Sequence, residues 1–186
     1  MPLRFFVFLV IAPAAWAQPF ETLEVGLSGV GTFGEAPYTD YWSPGPGAEA
    51  RVTMPFYLGH VSAGTSVARH TSVEGVDVPD FFALYFFGAW SAEVALPGGL
   101  RLAPGLHAGL FRMQFDTDDA PAVRNEAELA VGPELWLSVP VGRGWHVRAG
   151  GGAAHLFTFE RIDLRFAQVG LSRRMRTPDW LRDLLR

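Results

Sequence analysis

The chain has 186 residues, no cysteine, a net charge of −4 and 49% hydrophobic residues. The hydrophobic content excludes a disordered chain, and the lack of cysteine excludes a disulfide scaffold. All 15 basic residues are arginine and acidic residues outnumber them, so the composition offers no basic footprint for nucleic acid. Only 18% of the residues are charged, yet beyond the N-terminus no uncharged apolar run reaches the roughly 18 residues of a spanning helix. The length fits one domain.

The first 17 residues have the pattern of a secretory signal peptide. Arg4 supplies a positive charge, residues 5–14 are apolar, and Ala15-Trp16-Ala17 fits an A-x-A cleavage site. An N-terminal membrane anchor is the alternative, but the apolar segment is short for a bilayer. We therefore divide the chain into a signal peptide (1–17), a folded body (18–176) and a C-terminal amphipathic tail (177–186), and we expect an exported protein.

Apolar and polar residues then alternate with the period of two that is typical of β-strands. Within 48–58, for example, Val52 and Met54 share one face, whereas Glu49 and Arg51 share the other. The pattern predicts eight strands at 22–33, 48–58, 60–69, 81–96, 100–115, 125–138, 145–158 and 162–174. The connections after the second, fourth and sixth strands are short, and those after the first, third and fifth are longer and polar. This arrangement indicates an all-β fold, an eight-stranded antiparallel up-and-down barrel.

Alternation alone leaves open which face of the barrel points outward. A soluble lipocalin-type barrel keeps its apolar face inside, whereas a transmembrane barrel turns that face toward lipid. Charges of both signs on the polar face favour the transmembrane barrel, because they could pair within a narrow lumen. The predicted lumen network comprises Glu24, Glu49, Arg51, Glu93, Arg101, Glu126, Glu128, Glu134, Arg148, Asp163 and Arg165. Aromatic residues near the strand ends and glycines on the charged face favour the same orientation.

In this alternation and strand count, residues 20–176 resemble the small outer-membrane β-barrel proteins of Gram-negative bacteria, the OmpA/OmpX/OmpW-like group. The resemblance implies location in the outer membrane and contact with its lipid and lipopolysaccharide. It also implies assembly by the barrel-assembly machinery with periplasmic chaperones. Many members end their last strand with a C-terminal aromatic residue, whereas this chain continues to Leu185-Arg186. The apolar phase of the last strand also slips between Phe166 and Ala167, which predicts a β-bulge there.

The tail after the last strand has the signals of a short helix. Thr177 suits a helix cap, Pro178 the first helical position, and Asp179 the positive end of the helix. The apolar residues that follow share one side: Trp180, Leu181, Leu184 and Leu185. Such a helix either lies on the membrane surface, plugs the barrel, or frays because of its length.

Some eight-stranded outer-membrane barrels modify lipid A, so the resemblance raises the possibility of an enzymatic site. The deacylase type places a histidine and a serine two residues apart on one strand face, and His60-Val61-Ser62 and His70-Thr71-Ser72 have that spacing. The predicted faces, however, point His60 and Ser62 into the lumen and away from lipid. We therefore predict a protein that is not an enzyme, with lipid A modification as an alternative.

No metal or cofactor site is predicted. The five histidines lack the spacing of metal ligands, and the acidic segment Asp116-Thr117-Asp118-Asp119 lacks the glycine and distal glutamate of an EF-hand.

The first long connection is the candidate binding surface. Tyr38, Tyr41 and Trp42 lie there among acidic residues such as Glu35 and Asp40. These aromatic residues either form an exterior surface for a protein or glycan partner, or pack onto the rim of their own barrel. The prediction is thus a barrel with a side-chain-filled lumen and a structural or surface-interaction role. The alternatives are a narrow pore for small solutes, a lipid A-modifying enzyme and a soluble periplasmic binding barrel.

Overall fold

The computed structural model describes residues 20–116, 125–158 and 162–184, which form one closed barrel of eight antiparallel strands. The strands are β1 (Thr22–Gly34), β2 (Trp42–Phe56), β3 (Gly59–Ser72), β4 (Phe81–Ser91), β5 (Arg101–Phe115), β6 (Glu126–Gly142), β7 (Trp145–Leu156) and β8 (Ile162–Arg176). Two short helices, α1 (Tyr38–Tyr41) and α2 (Asp179–Leu184), flank them. None of the described helices has the length and hydropathy to cross a membrane.

Pairing of the first strand with the last closes the barrel. The β1–β8 ladder is antiparallel and runs from Thr22 opposite Arg176 to Gly34 opposite Leu164. Every other strand pairs with its two neighbours in the chain, so none of the eight strands presents a free edge. Following paired residues once around the barrel from Glu24 returns to β1 at Gly34, a shear number of about ten. For eight strands this corresponds to a tilt of roughly 40° from the barrel axis.

The two ends of the barrel have different connections. At one end, called the turn end, tight turns join β2 to β3 and β6 to β7, and both chain termini of the barrel emerge. At the β6–β7 turn, Gly142 and Gly144 have φ of 112° and 79° on either side of Arg143 at 49°. Glycine suits such left-handed positions because it has no Cβ. The opposite end, called the loop end, carries the β1–β2, β3–β4, β5–β6 and β7–β8 connections.

The eight predicted strands are confirmed, with differences at their ends. β2 begins at Trp42 rather than at 48, because the Gly- and Pro-rich segment that indicated a loop joins the β3 ladder through a register shift between Pro44 and Gly47. β4 ends at Ser91 rather than at 96. Beyond it lie a two-residue strand, Val94–Ala95, and a single 3₁₀ turn.

The apolar face of the barrel is its outer face. Leu27 and Val169 are 67% and 61% exposed on the outside, whereas Glu49 and Arg51 are each 5% exposed within the lumen. This orientation is the opposite of a lipocalin-type barrel and is the one that presents hydrocarbon to lipid. The prediction of apolar side chains outside and paired charges inside is therefore right for most of the barrel.

Strand β8 corrects that prediction at the loop end. Leu164 and Phe166 face the lumen, and Asp163 and Arg165 lie on the outer face instead of in the lumen network. There Asp163 accepts a hydrogen bond from His155 at 2.7 Å, and Arg165 pairs with Glu35. The β8 register with β1 is continuous from Arg176 to Leu164, so the predicted bulge at Phe166 is absent. The apolar residues of β8 switch from the outer to the inner face because the lumen is apolar near the loop end and charged near the turn end.

The C-terminal helix forms but does not fill the barrel. The backbone N–H of Thr177 donates to the Glu21 carbonyl at 3.0 Å, which ties the start of the tail to β1. The Thr177 hydroxyl has no hydrogen-bond partner in the described chain, so the predicted cap is not formed. Trp180 is 69% exposed and Leu184 is exposed as well, which leaves the apolar side of α2 outside the lumen.

Candidate functional site

The half of the lumen nearer the turn end, called the charged half, is centred on Arg51. Its guanidinium donates two hydrogen bonds to the Glu134 carboxylate at 2.7 and 2.8 Å, and Nε donates to Glu49 at 2.9 Å. The second oxygen of Glu49 accepts from the Gln168 amide at 2.9 Å. All four side chains are buried. Through them the guanidinium of Arg51 on β2 is connected to β6 and, by way of Glu49, to β8.

Aromatic rings complete this layer. The Arg51 guanidinium lies 4.7 Å from the ring centroids of both Phe87 and Trp136, and the Arg148 guanidinium lies 4.4 Å from the Trp136 ring. Inward-facing glycines make the room: a Cβ on Gly64 would lie 2.5 Å from the Phe87 ring, and one on Gly150 would lie 2.7 Å from that of Trp136. The layer therefore closes the cross-section of the lumen at this level.

A second cluster of charges lies closer to the turn end. Glu24 accepts hydrogen bonds from the Ser172 hydroxyl at 2.7 Å and from Arg174 at 3.0 and 3.2 Å. Arg174 also lies 3.4 Å from Glu93, and Glu93 lies 3.5 Å from Arg101. The two clusters meet at Arg148, whose guanidinium lies 3.8 Å from Glu24.

The structure brings together seven of the eleven predicted network residues: Glu24, Glu49, Arg51, Glu93, Arg101, Glu134 and Arg148. Glu126 and Glu128 also face inward but lie near the loop end, and Asp163 and Arg165 are outside. Sequence analysis missed Gln168, Ser172 and Arg174. Their even-numbered spacing on β8, alternating with the apolar Ala167, Val169 and Leu171, was available as a signal, but the predicted network ended at Arg165.

The half of the lumen nearer the loop end, called the apolar half, is filled mainly by hydrophobic side chains. Its buried cluster comprises Tyr38, Phe81, Ala83, Phe111, Met113, Ala130, Ala154, Leu156 and Leu164. Two tyrosine–histidine hydrogen bonds satisfy the polar groups here: Tyr85 with His107 at 2.6 Å and Tyr38 with His70 at 2.5 Å. His107 also contacts the Ala153 carbonyl at 3.1 Å.

The predicted loop binding surface is divided between the interior and the exterior. Tyr38 is 3% exposed because α1 turns it into the barrel mouth, and burial raises the pKa of its phenol. Trp42 is half-buried and donates to the Pro79 carbonyl at 3.0 Å, whereas Tyr41 is 42% exposed. All three line a mouth cavity of about 330 Å³, together with Glu126 and the neighbouring apolar side chains.

The two histidine–serine pairs that the sequence raised, His60/Ser62 and His70/Ser72, contact other residues and not each other. Ser62 bonds to Thr53 at 2.8 Å inside the lumen, and His60 lies 4.0 Å from Glu93. His70 stacks on Phe81, while Ser72 donates to Asp80. Within the described ranges, neither histidine is hydrogen-bonded to the serine two residues away, and no group of three or more potential metal ligands occurs. Positions 117–119 of the acidic segment lie outside the described residues.

Comparison with known proteins gives likeness at the level of structure. No family model and no curated protein matches the chain. Among solved structures, Neisserial surface protein A superposes with a TM-score of 0.62 at 10% identity, covering 81% of this chain and 96% of that chain. The Pseudomonas aeruginosa OprF N-terminal barrel gives 0.51 at 11% identity, covering 85% and 100%.

A third similar structure is Ail, the attachment invasion locus protein of Yersinia pestis, in complex with the heparin analogue sucrose octasulfate. It gives a TM-score of 0.54 at 13% identity, covering 83% of this chain and 99% of that chain. At these identities the likeness establishes the fold. The chain is a closed eight-stranded antiparallel barrel of the kind found in these small outer-membrane proteins, as the sequence resemblance implied.

Proposed function

We propose that this chain is a non-enzymatic outer-membrane protein of a Gram-negative bacterium, with a lumen closed by side chains and a loop end that contacts partners. The apolar outer wall supports the membrane location, because an exposed apolar surface of this extent is unfavourable in water. In this orientation the short turns and both barrel termini face the periplasm, and the longer connections face outward. Residues 1–17 would direct export.

The layer around Arg51 carries the proposal of a closed lumen. Between the charged half and the apolar half lies a cavity of about 50 Å³, lined by residues of both halves that include Arg51, Glu134, Tyr85 and His107. A cavity of that size holds a few water molecules, and its lining includes no residue of the second charge cluster at the turn end. The packing therefore favours a structural or interaction role over passage of solutes.

Planar-bilayer recording tests the closed lumen. The purified protein is first refolded into lipid vesicles, and insertion is verified by β-sheet circular dichroism and by protection from protease. We expect no stable single-channel steps from the inserted protein. Reproducible steps of constant amplitude would instead favour the alternative of a narrow pore.

The mouth cavity supports interaction through the loop end. It is an apolar, aromatic-lined recess with one carboxylate, Glu126, and it adjoins the exposed ring of Tyr41. Acidic side chains dominate the exposed connections around it: Glu35, Asp40, Glu74, Asp77 and Asp116. A protein or glycan partner that is neutral or cationic fits this charge, whereas a polyanion is repelled.

A titration with sucrose octasulfate, the ligand named for the Ail structure, tests this assignment of charge. We expect no saturable binding heat from the protein in detergent micelles at physiological ionic strength. Saturable binding that Tyr41→Ala or Glu126→Gln changes would contradict the proposed acidic surface.

Lipid A modification is the second candidate that the sequence raised, and the geometry disfavours it. Ser62 faces the lumen and is bonded to Thr53, so neither His60 nor Ser62 reaches the lipid-facing wall. We expect Ser62→Ala to leave the mass spectrum of lipid A unchanged in expressing cells. As partners we propose outer-membrane lipid and lipopolysaccharide, with the barrel-assembly machinery and periplasmic chaperones during biogenesis.

A further inference from the structure

The outer wall carries arginines at both ends of the barrel, and their pairing differs. At the loop end, Arg69 lies 3.2 Å from Asp80, and Arg165 contacts Glu35. At the turn end, Arg143 and Arg173 are exposed, and no carboxylate of the described residues lies within ion-pair distance of either. Arg69 and Arg165 are thus neutralised within the protein, whereas Arg143 and Arg173, like the exposed loop-end Arg112, have no carboxylate partner among the described residues.

Arg173 lies on the apolar wall and not on a polar surface. It faces outward on β8 between the exposed side chains of Leu171 and Met175, and it is paired across the sheet with Val25 of β1. On its other side is Trp145 of β7, whose ring centroid lies 5.6 Å from the guanidinium. An unpaired cation in such surroundings is costly in a bilayer unless an anion reaches it.

The depth of Arg173 on the wall matches the level of lipid phosphates. The outward positions of β8 between Arg165 and Arg173 are Ala167, Val169 and Leu171, all apolar. The two arginines are eight residues apart, which corresponds to about 27 Å along the strand and about 20 Å along the axis of a barrel with tilted strands. With long side chains extending outward at each end, they bracket the hydrocarbon band.

The β6–β7 turn brings a second guanidinium to the same end of the wall. The Gly144 carbonyl accepts the backbone N–H of Arg174 at 2.8 Å, so this turn is held against β8. Arg143 precedes Gly144 in this turn, two residues before Trp145 in the chain, and it is exposed. Two acidic side chains of the turn end are engaged elsewhere: Asp179 pairs with Arg182 at 2.6 Å, and Glu93 pairs with Arg174. Glu21 and Asp183 of the same end are exposed and form no ion pair with Arg143 or Arg173.

We propose that Arg143, Trp145 and Arg173 form a binding site for the headgroup of an anionic phospholipid in the periplasmic leaflet. The planar guanidinium of Arg173 donates two N–H groups to phosphate oxygens, and the Trp145 ring packs against the glycerol backbone. Two positive charges without a carboxylate partner favour a lipid with net negative charge over a zwitterionic one. The inference rests on the proposed membrane location.

Native mass spectrometry tests the site with defined lipids. The folded protein is released from detergent micelles that contain equimolar dioleoyl phosphatidylglycerol and dioleoyl phosphatidylcholine, and the singly bound lipids are counted. We expect the wild type to retain phosphatidylglycerol preferentially and Arg173→Ala to lower that preference about fivefold, as for loss of one basic residue at an anionic surface. Arg143→Ala acts in the same direction, and Arg173→Lys retains part of the preference because its charge remains.

Arg69→Ala is the matched control. Arg69 also faces outward, with its guanidinium 5.8 Å from the Phe82 ring on the adjacent strand, but it is paired with Asp80. We expect this variant to keep the wild-type preference for phosphatidylglycerol. An unchanged preference in folded Arg173→Ala would overturn the proposal, and so would loss of the wild-type preference when millimolar inorganic phosphate is added, because the site would then bind the free ion.

Insertion into vesicles separates this inference from the proposed function on which it rests. If the wild type fails to insert, the membrane location itself is wrong. If wild type and variants insert equally but show no preference between the two lipids, only the headgroup site is contradicted.

Discussion

In the charged half of the lumen, carboxylates and guanidiniums neutralise one another, whereas in the apolar half aromatic and aliphatic side chains fill the same cylinder. The outer wall is apolar around both halves. A membrane therefore constrains the polarity of the outer face only, and the inner face is free to be filled by either chemistry, provided that volume and hydrogen bonds are satisfied.

We expect the charged half and the apolar half of the lumen to respond differently to substitution. A buried network of charges adds little net stability over apolar packing, because desolvation offsets the attraction between its members. Removal of one member is nevertheless costly, because its partners stay buried and charged. Removal of an apolar side chain costs the lost contacts and leaves a cavity.

Arg51→Ala should have the largest effect, because it leaves both Glu49 and Glu134 without their cationic partner. We expect a loss of about 3–5 kcal/mol in the free energy of unfolding. Urea titration of the protein in detergent micelles, followed by tryptophan fluorescence, measures it. In the triple variant Arg51→Met, Glu49→Gln, Glu134→Gln most of this loss should be recovered. A loss below about 1 kcal/mol for Arg51→Ala would show that the network is well hydrated.

Leu156→Ala probes the apolar half in the same assay. Leu156 is 1% exposed and packs within the buried cluster, so its truncation should cost about 2–5 kcal/mol, toward the upper end if the cavity does not collapse. Leu135→Ala is the control, since Leu135 faces outward and is 48% exposed. Equal losses at the two positions would contradict the packed interior of the apolar half.

Gly150→Ala tests the steric basis of the charged half. The added Cβ would meet the Leu135 carbonyl at 2.5 Å and the Trp136 ring at 2.7 Å, so we expect destabilisation of about 1–3 kcal/mol from overpacking. Gly88→Ala is matched to it, because Gly88 faces outward and its nearest neighbour would lie 3.9 Å away. If both variants unfold at the same urea concentration, Trp136 is not confined as described.

The comparison of the two halves also explains what the sequence predicted and what it did not. Alternation with period two placed Glu49, Arg51 and Glu134 inside because polar residues there alternate against a lipid-facing apolar set. The same reasoning assigned polar residues to the lumen everywhere, so it misplaced Asp163 and Arg165 where the lumen becomes apolar. Within 162–166 the alternation is intact, but its apolar members face the lumen, so period two alone assigns its polar members to the wrong side.

The sequence patterns also did not predict contacts between segments that are distant in the chain. The aromatic residues of the β1–β2 connection were expected either to face a partner or to pack on the rim. In the structure Tyr38 packs inside the barrel mouth and bonds to His70, whereas Tyr41 is exposed. Which occurs depends on the turn of α1, and four residues of helix carry no periodicity to reveal it.

The smallest expected effect is at the loop end, where Asp80 lies outside the membrane-spanning strands. The Ser72 backbone N–H donates to its carboxylate at 2.8 Å, and this hydrogen bond, with those from the Ser72 hydroxyl and Arg69, lowers the pKa of Asp80 below its ordinary 3.8. A lowered pKa in the folded state gives stability that is present above about pH 4 and lost as the pH falls through the folded value. Asp80→Asn keeps an acceptor for Ser72 but no charge. We therefore expect the wild type to exceed this variant slightly in urea midpoint at pH 7, and the difference to vanish near pH 3. A difference that persists at pH 3 would mean that the geometry of the β3–β4 connection, and not the charge of Asp80, is what the substitution changes.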